Sequence, residues 1–373
     1  MSAAPGPLHV AVGVLAGVTG GPASYGRQLV AALARSTDPV RVTVLTDRPE
    51  SFAGIGCEIV HLPMRGGLAR LPWQHLQVPR ALRRVGPDVY HDTKNALPIG
   101  LRLPAVVTVH DLAYHTVPET FGFASRLFLR RATAHAVRVA RAVVVPSQAT
   151  ADDLARIHPH AAPKIHVVPH GIAQAPRPDD ATIRGVRERL RLPERYVLHV
   201  GTIQARKNVH LLIDAVRSLR AKHTDLRVVL VGRRGWLADK ALAEIARDDT
   251  AQWLGALPDS DLAAVYAGAA AFASPSAYEG FGFTVGDALA AGVPTVVSNV
   301  SSLPEVCGDA ALRLERIDVA SIATAIERLL SEPGLSARLR RAGPARAASF
   351  TWERAAAGHV AAYRAAVSSR APR

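Results

Sequence analysis

Short, uninterrupted apolar runs recur along this chain, each followed by a stretch of helical character. The first half carries LHVAVGV (Leu8 to Val14), VRVTVLT (Val40 to Thr46), CEIVHLP, DVYHD, AVVTVHD, AVVVPS and KIHVVPHG (Lys164 to Gly171). The second half carries RYVLHVG, LRVVLVG, QWLGA, AAFASPS and PTVVSN. A strand with one wet face alternates apolar and polar residues, and these runs do not. Both faces must be covered, which predicts parallel sheet with helices on each side, an α/β fold. YGRQLVAALARS, WQHLQVPRALRRV, VHLLIDAVRSLRAKH (with Asn208 as its N-cap), LADKALAEIARD and DLAAVYAGA supply the helices. At 373 residues the chain is long enough for two cores. The segment IAQAPRPDDAT has prolines, charge and no periodicity, so it reads as a linker. The expected division is a first doubly wound domain over 1–172, a linker over 173–194 and a second doubly wound domain over 195–350. A helix over 351–373 is long enough to pack back on the first domain.

In open parallel sheets ligands bind beyond the carboxyl ends of the strands. The chemically loaded loops fall at such ends: Gly20-Gly21, His110-Asp111, Gly201-Thr202 with Arg206-Lys207, and Glu279 to Gly282. If the two sheets face one another edge-on, these loops converge on one interdomain cleft. The stretch Ser274 to Pro294 is the most informative. Gly280 and Gly282 flank Phe281 and let backbone approach a ligand without a Cβ in the way. The helix beginning near Phe283 offers amides and a positive end suited to phosphate. Glu279 and Asp287 can hold hydroxyl groups, and phosphate beside hydroxyls describes a sugar nucleotide. Arg206 and Lys207 are either a clamp for pyrophosphate oxygens or part of a solvated loop or salt bridge. Glu279 is alternatively a cap for its own turn, and Asp287 a first-turn carboxylate favoured by the helix dipole. His110 ends a buried strand, and DLAYHTVPETF after it, with Tyr114, His115 and Glu119, reads as a binding loop or as an ordinary one.

The formal net charge is +14. It reflects either an arginine-rich composition at large or an anionic partner: nucleotide, anionic membrane or nucleic acid. Aromatic content of 5% and the lack of a nucleic-acid motif argue against specific nucleic-acid binding. Cys57 and Cys307 form neither a disulfide framework nor a zinc spacing, which fits a reducing cytosol. The N-terminus reads as a buried strand rather than a signal peptide, and no run approaches the ~18 apolar residues of a spanning helix. Asp259 and Asp261 have the DxD form of metal-dependent sugar transferases, but PDSDL opens a helix and reads as capping. His158, His160, His166 and His170 have the irregular spacing of a surface loop rather than of a metal site. No P-loop, GxGxxG, HExxH or GxSxG is present.

VGTIQARKNVHLLIDAV and the run from LGALPDSDL through EGFGFTVGDALAAGVP to SSLPEV resemble the signature segments of the retaining glycosyltransferases of family 4. KIHVVPHGI resembles that family's entry to the linker, where Asn usually stands at His170, and GGPASYGRQL resembles its glycine loop. The resemblance covers essentially the whole chain. It implies the GT-B fold, two facing Rossmann-like domains with an interdomain cleft. It also implies a donor site of Gly20, Gly21, Gly201, Thr202, Arg206, Lys207, Glu279, Gly280, Phe281, Gly282, Phe283 and Asp287. Arg206 and Lys207 then hold the diphosphate, Glu279 the sugar and Asp287 the ribose. His110 lies beside the anomeric centre and acts catalytically with Glu279, Arg206 and Lys207. The acceptor site falls in the first domain, with Tyr25, Asn95, Asp111, Tyr114 and His115 as candidates.

The resemblance implies retention of configuration by front-face departure and attack, with no metal and no cofactor. HDLAYHTVPETF and SSLPEVCGDAAL are similar to the mannosyltransferase-like branch, which favours GDP-mannose and leaves a UDP-sugar open. The acceptor is a saccharide, a lipid-linked sugar or a small molecule. Arg126, Arg130, Arg131, Arg138 and Arg141 lie in a sector of about 140° on a helix. That face is either solvated or a contact with anionic membrane carrying a lipid-linked acceptor. The family usually has Glu at Asp287 and a bulky aliphatic at Gly286. The shorter acid calls for a closer helix, a bridging water or a weaker ribose contact, and Gly286 is expected to permit the closer approach. The rival readings are a sugar-nucleotide epimerase of the same fold and a transferase fold that lost activity through Asp287.

Overall fold

A computed structural model describes residues 6–15, 21–63, 70–174 and 176–369. The chain forms two compact units. The first comprises Met1–Leu112, Leu127–Gly171 and Thr351–Arg373, and the second Ala113–Arg126 and Ile172–Phe350.

The first unit is built on β1 (Leu8–Val14), β2 (Val40–Thr46), β3 (Glu58–His61), β4 (Val89–Asp92), β5 (Ala105–Thr108), β6 (Ala142–Val145) and β7 (Ile165–Val167). They form one sheet in the order β3-β2-β1-β4-β5-β6-β7, and every pairing is parallel. The order reverses beside β1, which pairs with β2 on one edge and β4 on the other. This is the doubly wound arrangement expected of continuous apolar strands. All four residues of β4, β5 and β6 are buried. In β4 they include His91 and Asp92, so buried polar groups must be satisfied inside the sheet.

They are satisfied with help from the C-terminal helix, Trp352–Ser368, which belongs to this unit although 179 residues of the second unit (172–350) precede it in sequence. His359 Nδ1 lies 2.7 Å from the Ala355 carbonyl, so that nitrogen carries the proton. Burial, with a smaller effect from His110, lowers the His359 pKa to about 4, so the ring is neutral and Nε2 is an acceptor. The Tyr25 hydroxyl, 2.7 Å away, therefore donates to it. Thr108 Oγ1, 2.9 Å from the Tyr25 oxygen, must then donate to Tyr25 and accept from His91 Nε2 at 2.8 Å. That leaves His91 Nδ1 to accept from the Tyr363 hydroxyl at 2.8 Å. The links run in one direction only, and they join the helix at Gly21–Ala34, the ends of β4 and β5, and the C-terminal helix. Trp352 packs flat on Gly171, where a Cβ would lie 2.4 Å from the ring.

The second unit carries β8 (Arg195–Val200), β9 (Leu226–Val231), β10 (Ala251–Trp253), β11 (Ala271–Ser274), β12 (Thr295–Ser298) and β13 (Leu312–Leu314). Their order is β10-β9-β8-β11-β12-β13, again wholly parallel. Successive residues feed cores on opposite faces: Leu198, Val200 and Val229 on one, Val197, Val228 and Leu230 on the other. The linker expectation is revised. A helix spans Asp180–Leu190, capped by Asp179, whose carboxylate accepts from the Thr182 amide at 2.7 Å. Its Val186 is buried in the second unit's core, as is Ile172. Ile183 and Leu190 pack against the same core, an i, i+3, i+7 spacing that the prolines and charges ahead of the helix obscured in sequence. The stretch 113–126, read as a loop of the first domain, groups with the second unit, where the Trp236 indole donates to the Thr120 carbonyl at 3.0 Å.

Among the described residues no helix is long and apolar enough to cross a membrane. The anticipated basic face divides. Arg131 and Arg138 are exposed on the helix Phe123–Val139 beside exposed Phe128. Arg141 lies past its end, donating to the Ser369 carbonyl at 2.9 Å.

Tyr25→Phe removes the hydroxyl between Thr108 and His359, leaving His359 Nε2 without a donor and the Thr108 hydroxyl without its acceptor. The cost is expected to be about 1–3 kcal/mol, lowering the thermal midpoint by several degrees. In the His359→Phe background the same change should cost clearly less, because that acceptor is already gone. Calorimetric melts of the two single variants and the double check both statements.

Candidate active site

In the second unit the strand order reverses between β8 and β11, and the loops after these two strands lie side by side. They are sewn together by hydrogen bonds to main-chain carbonyls. The Ala277 amide donates to the Arg206 carbonyl at 2.8 Å, Arg206 donates to the Tyr278 carbonyl, and Asn208 Nδ2 donates to the Pro275 carbonyl at 2.9 Å. Asn208 stands before the helix Val209–Leu219 with φ 50° and makes no side-chain cap, since its amide is committed to Pro275.

The stitching brings Arg206, Lys207 and Glu279 into one ion cluster. Lys207 Nζ donates to Glu279 Oε1, and Arg206 Nη1 is 3.1 Å from Oε2. Glu279 and Lys207 are buried. Burial pushes the Glu279 pKa upward. The charges of Lys207 and then Arg206, with hydrogen bonds from Lys207 and Ser276, outweigh it and set the pKa at about 2. Glu279 is therefore a carboxylate at neutral pH and an acceptor only. Its main chain is fixed too. The Glu279 amide donates to Ser301 Oγ at 2.8 Å, and its carbonyl accepts from Ser302 Oγ at 2.9 Å. Neither Ser276 nor the Ser301-Ser302 pair stood out in the sequence. Serines near turns are too common to signal a role, and only the fold brings them to Glu279.

Four residues beyond Glu279 begins the helix Phe283–Ala290. Gly282 precedes it with φ +91°, where a Cβ would also lie 2.9 Å from Leu303 Cδ2, so the glycine is required. Phe281 is buried edge-on against Phe283 and Phe350, and it serves the turn by its backbone while its ring anchors the core. Gly280 is buried beside it, and Gly201 and Thr202 are half-buried at the end of β8. The reading of Gly286 changes. Its missing Cβ makes room for Ile172, whose Cδ1 would be 2.6 Å from it. Asp287 is half-buried. Desolvation, and after it the charge of Asp259, lift its pKa to about 7. Asp259 and Asp261 lie in the first turn of the helix Asp259–Ala267, which has Pro258 at its N-cap position. Neither acid caps the helix, and Asp261 instead pairs with Arg189 at 2.6 Å.

In the first unit His110, Asn95 and Asp111 lie together. His110 Nε2 is 2.8 Å from the Thr93 carbonyl, so it carries the proton and Nδ1 keeps its lone pair. Asn95 Oδ1 accepts from the His110 amide, and Nδ2 donates to the Asp111 carbonyl, both at 3.4 Å. Burial lowers the His110 pKa, the Thr93 carbonyl and Asp111 opposing it.

Other expectations are corrected. Tyr25 is fully buried with its hydroxyl engaged by Thr108 and His359, so its side chain is no acceptor surface. Tyr114 is buried and His115 half-buried, and both group with the second unit. His170, expected on a surface loop, is 1% exposed, with its ring centre 4.4 Å from that of Tyr25. Gly21 opens the helix Gly21–Ala34, and Gly20 lies outside the described residues.

Residues 185–346 match the family described as Glycosyl transferases group 1, and residues 19–175 match Glycosyltransferase Family 4. The O-antigen chain mannosyltransferase B of Escherichia coli is 32% identical over 292 residues, 76% of this chain and 76% of that protein. A glycogen synthase of Mycobacterium tuberculosis is 30% identical over 355 residues, 88% of this chain and 81% of that protein. Among solved structures, sucrose-phosphate synthase from Thermosynechococcus elongatus superposes with a TM-score of 0.75 at 22% identity, covering 96% of this chain and 98% of that one. Anabaena HepE in complex with UDP-glucose superposes at 0.76 with 18% identity, covering 95% and 99%. These likenesses place the fold in the GT-B class.

The raised pKa of Asp287 carries a stability signature. A pKa of about 7 against the ordinary 3.8 means the folded state holds the proton more tightly. Relative to that protonated state, stability falls as pH rises from about 4 to about 7 and is level above. Asp287→Asn lacks this slope, so its melting temperature should gain on that of the parent between pH 5 and pH 8. Parallel melting curves at the two pH values decide it; an unchanged difference would mean that Asp287 ionises normally.

Proposed function

The chain belongs to the family 4 glycosyltransferases, and from that premise we propose that it moves a hexose from a nucleotide sugar onto a hydroxyl of a saccharide acceptor, with retention of anomeric configuration. GDP-mannose is the preferred donor over a UDP-sugar, a reading supported by the similarity to the E. coli mannosyltransferase. The observation that carries the proposal is the buried cluster of Glu279, Arg206 and Lys207 at the switch point of the second sheet, ahead of the helix at Phe283. A carboxylate fixed in its ionised form accepts hydrogen bonds from sugar hydroxyls. The adjacent cations and the helix start meet the two phosphates.

In the proposed reaction the bond from the anomeric carbon to the diphosphate oxygen breaks, and its electrons leave with the diphosphate. Arg206 and Lys207 stabilise the charge that gathers there. The bond from the anomeric carbon to the acceptor oxygen forms on the same face. The acceptor's hydroxyl proton passes to an oxygen of the departing diphosphate. Glu279 stabilises positive charge on the sugar ring as the first bond lengthens. Within the first unit, His110 offers Nδ1 as a hydrogen-bond acceptor with Asn95 and Asp111 beside it, and these residues are assigned to the acceptor. Because protein cations meet the leaving charge, the proposal assigns no metal and no cofactor, and turnover is expected to withstand EDTA.

Calorimetry with GDP-, UDP-, ADP- and dTDP-sugars tests the donor assignment, with GDP-mannose expected to bind tightest. Lys207→Ala and Glu279→Gln should each lower kcat by at least about 100-fold in folded protein. Binding of none of the four donor classes, or near-normal turnover by both variants, would overturn the proposal.

A further inference from the structure

The penultimate residue of β8 is a histidine set among apolar neighbours, Tyr196, Val197, Leu198 and Val200. His199 is completely buried. Its Nδ1 lies 2.9 Å from the Ala273 carbonyl on β11, so Nδ1 carries the proton and Nε2 a lone pair. That Nε2 has no hydrogen-bond partner among the described residues. A buried acceptor left unmatched is costly, so its position calls for an explanation.

That nitrogen and Lys207 of the ion cluster lie against the same glycine. A Cβ placed on Gly201 would lie 3.8 Å from His199 Nε2, 3.7 Å from Lys207 Cε and 3.9 Å from Lys207 Nζ. The unmatched acceptor and the lysine thus border one small space above a glycine. A neutral imidazole lone pair repels phosphate oxygens and accepts only from a donor. An ammonium carries three N–H groups, so once the carboxylate releases it, it can serve phosphate oxygens and an imidazole nitrogen together. The ring stays neutral because burial, and the charge of Lys207 as a smaller cause, hold its pKa at about 4.

We propose that His199 is a positioning residue for Lys207: its Nε2 accepts an ammonium N–H when Lys207 turns from Glu279 toward the phosphate oxygens of the donor. The inference rests on the donor site proposed above. Glu279 holds the lysine while the site is empty. When the diphosphate enters and sugar hydroxyls claim the carboxylate, His199 supplies the neutral acceptor that keeps the cation aimed. Adding no charge of its own, it leaves the full positive charge of the ammonium for the phosphates.

Two substitutions separate this role from a structural one. His199→Asn keeps a donor near the Ala273 carbonyl and loses the outer acceptor. His199→Gln keeps an acceptor where Nε2 stood. Calorimetric affinities for GDP and UDP should fall roughly tenfold in His199→Asn, and Gln should restore most of the loss. In the Lys207→Ala background His199→Asn should cost nothing further, since the group it serves is gone. On the parent protein carrying 15N-labelled histidine, added GDP should shift the His199 Nε2 resonance upfield as its lone pair is taken.

The opposite order, with Asn normal and Gln impaired, would show a purely structural histidine and overturn the proposal. So would an undiminished loss in the Lys207→Ala background, or an unmoved Nε2 signal at saturating GDP. A parent protein that binds neither GDP nor UDP would sink the donor site itself, whereas binding by the parent with no effect in His199→Asn sinks the His199 role alone.

Discussion

A carboxylate buried between two cations governs the second unit. Each charge in the cluster of Glu279, Arg206 and Lys207 is tolerable only while the others hold their places. Removing one partner from such a group typically costs about 3–5 kcal/mol, because the remaining charge stays buried and unmatched. The loops after β8 and β11 are therefore fixed relative to each other by electrostatics as well as by backbone hydrogen bonds. The same arrangement suits a ligand that brings both anionic oxygens and hydroxyls, since it offers new partners to every member of the cluster.

The parallel sheets put that cluster where it is. A strand covered on both faces has no place for charge except at its ends, so polar chemistry is driven into the loops. The reversal of strand order between β8 and β11 lets two such loops lie together without a helix between them. The first unit has the same reversal between β1 and β4, and Asn95 and His110 lie just beyond β4 and β5. One rule of sheet topology thus locates both sets of candidate residues.

Much of this was readable in the sequence because it rests on local or repetitive signals. Uninterrupted apolar runs named the strands, and glycines at 280 and 282 with the Arg206-Lys207 pair marked the loops. What was not readable depends on distance in sequence. Tyr25 looked like a ligand-facing aromatic after a glycine turn. It is interior, and its hydroxyl is engaged by His359, 334 residues away in sequence. His170 looked like one of several loop histidines and instead packs against Tyr25. His199 was one letter in a strand, and only the pairing with β11 shows which nitrogen is committed. Gly286 looked like a device for bringing the helix nearer a ligand, and the space is taken by Ile172.

The buried chain from Tyr363 to His359 has a consequence for synthesis. Tyr25, His91 and Thr108 leave the ribosome early, whereas both ends of their hydrogen-bond chain lie on the helix Trp352–Ser368. Until residue 363 emerges, the first unit holds polar groups in its interior with nothing to answer them. The first unit is therefore closed by residues that follow the whole of the second unit in sequence. A chain cut before Trp352 leaves Tyr25 and His91 without their partners however well the strands of the first sheet have paired.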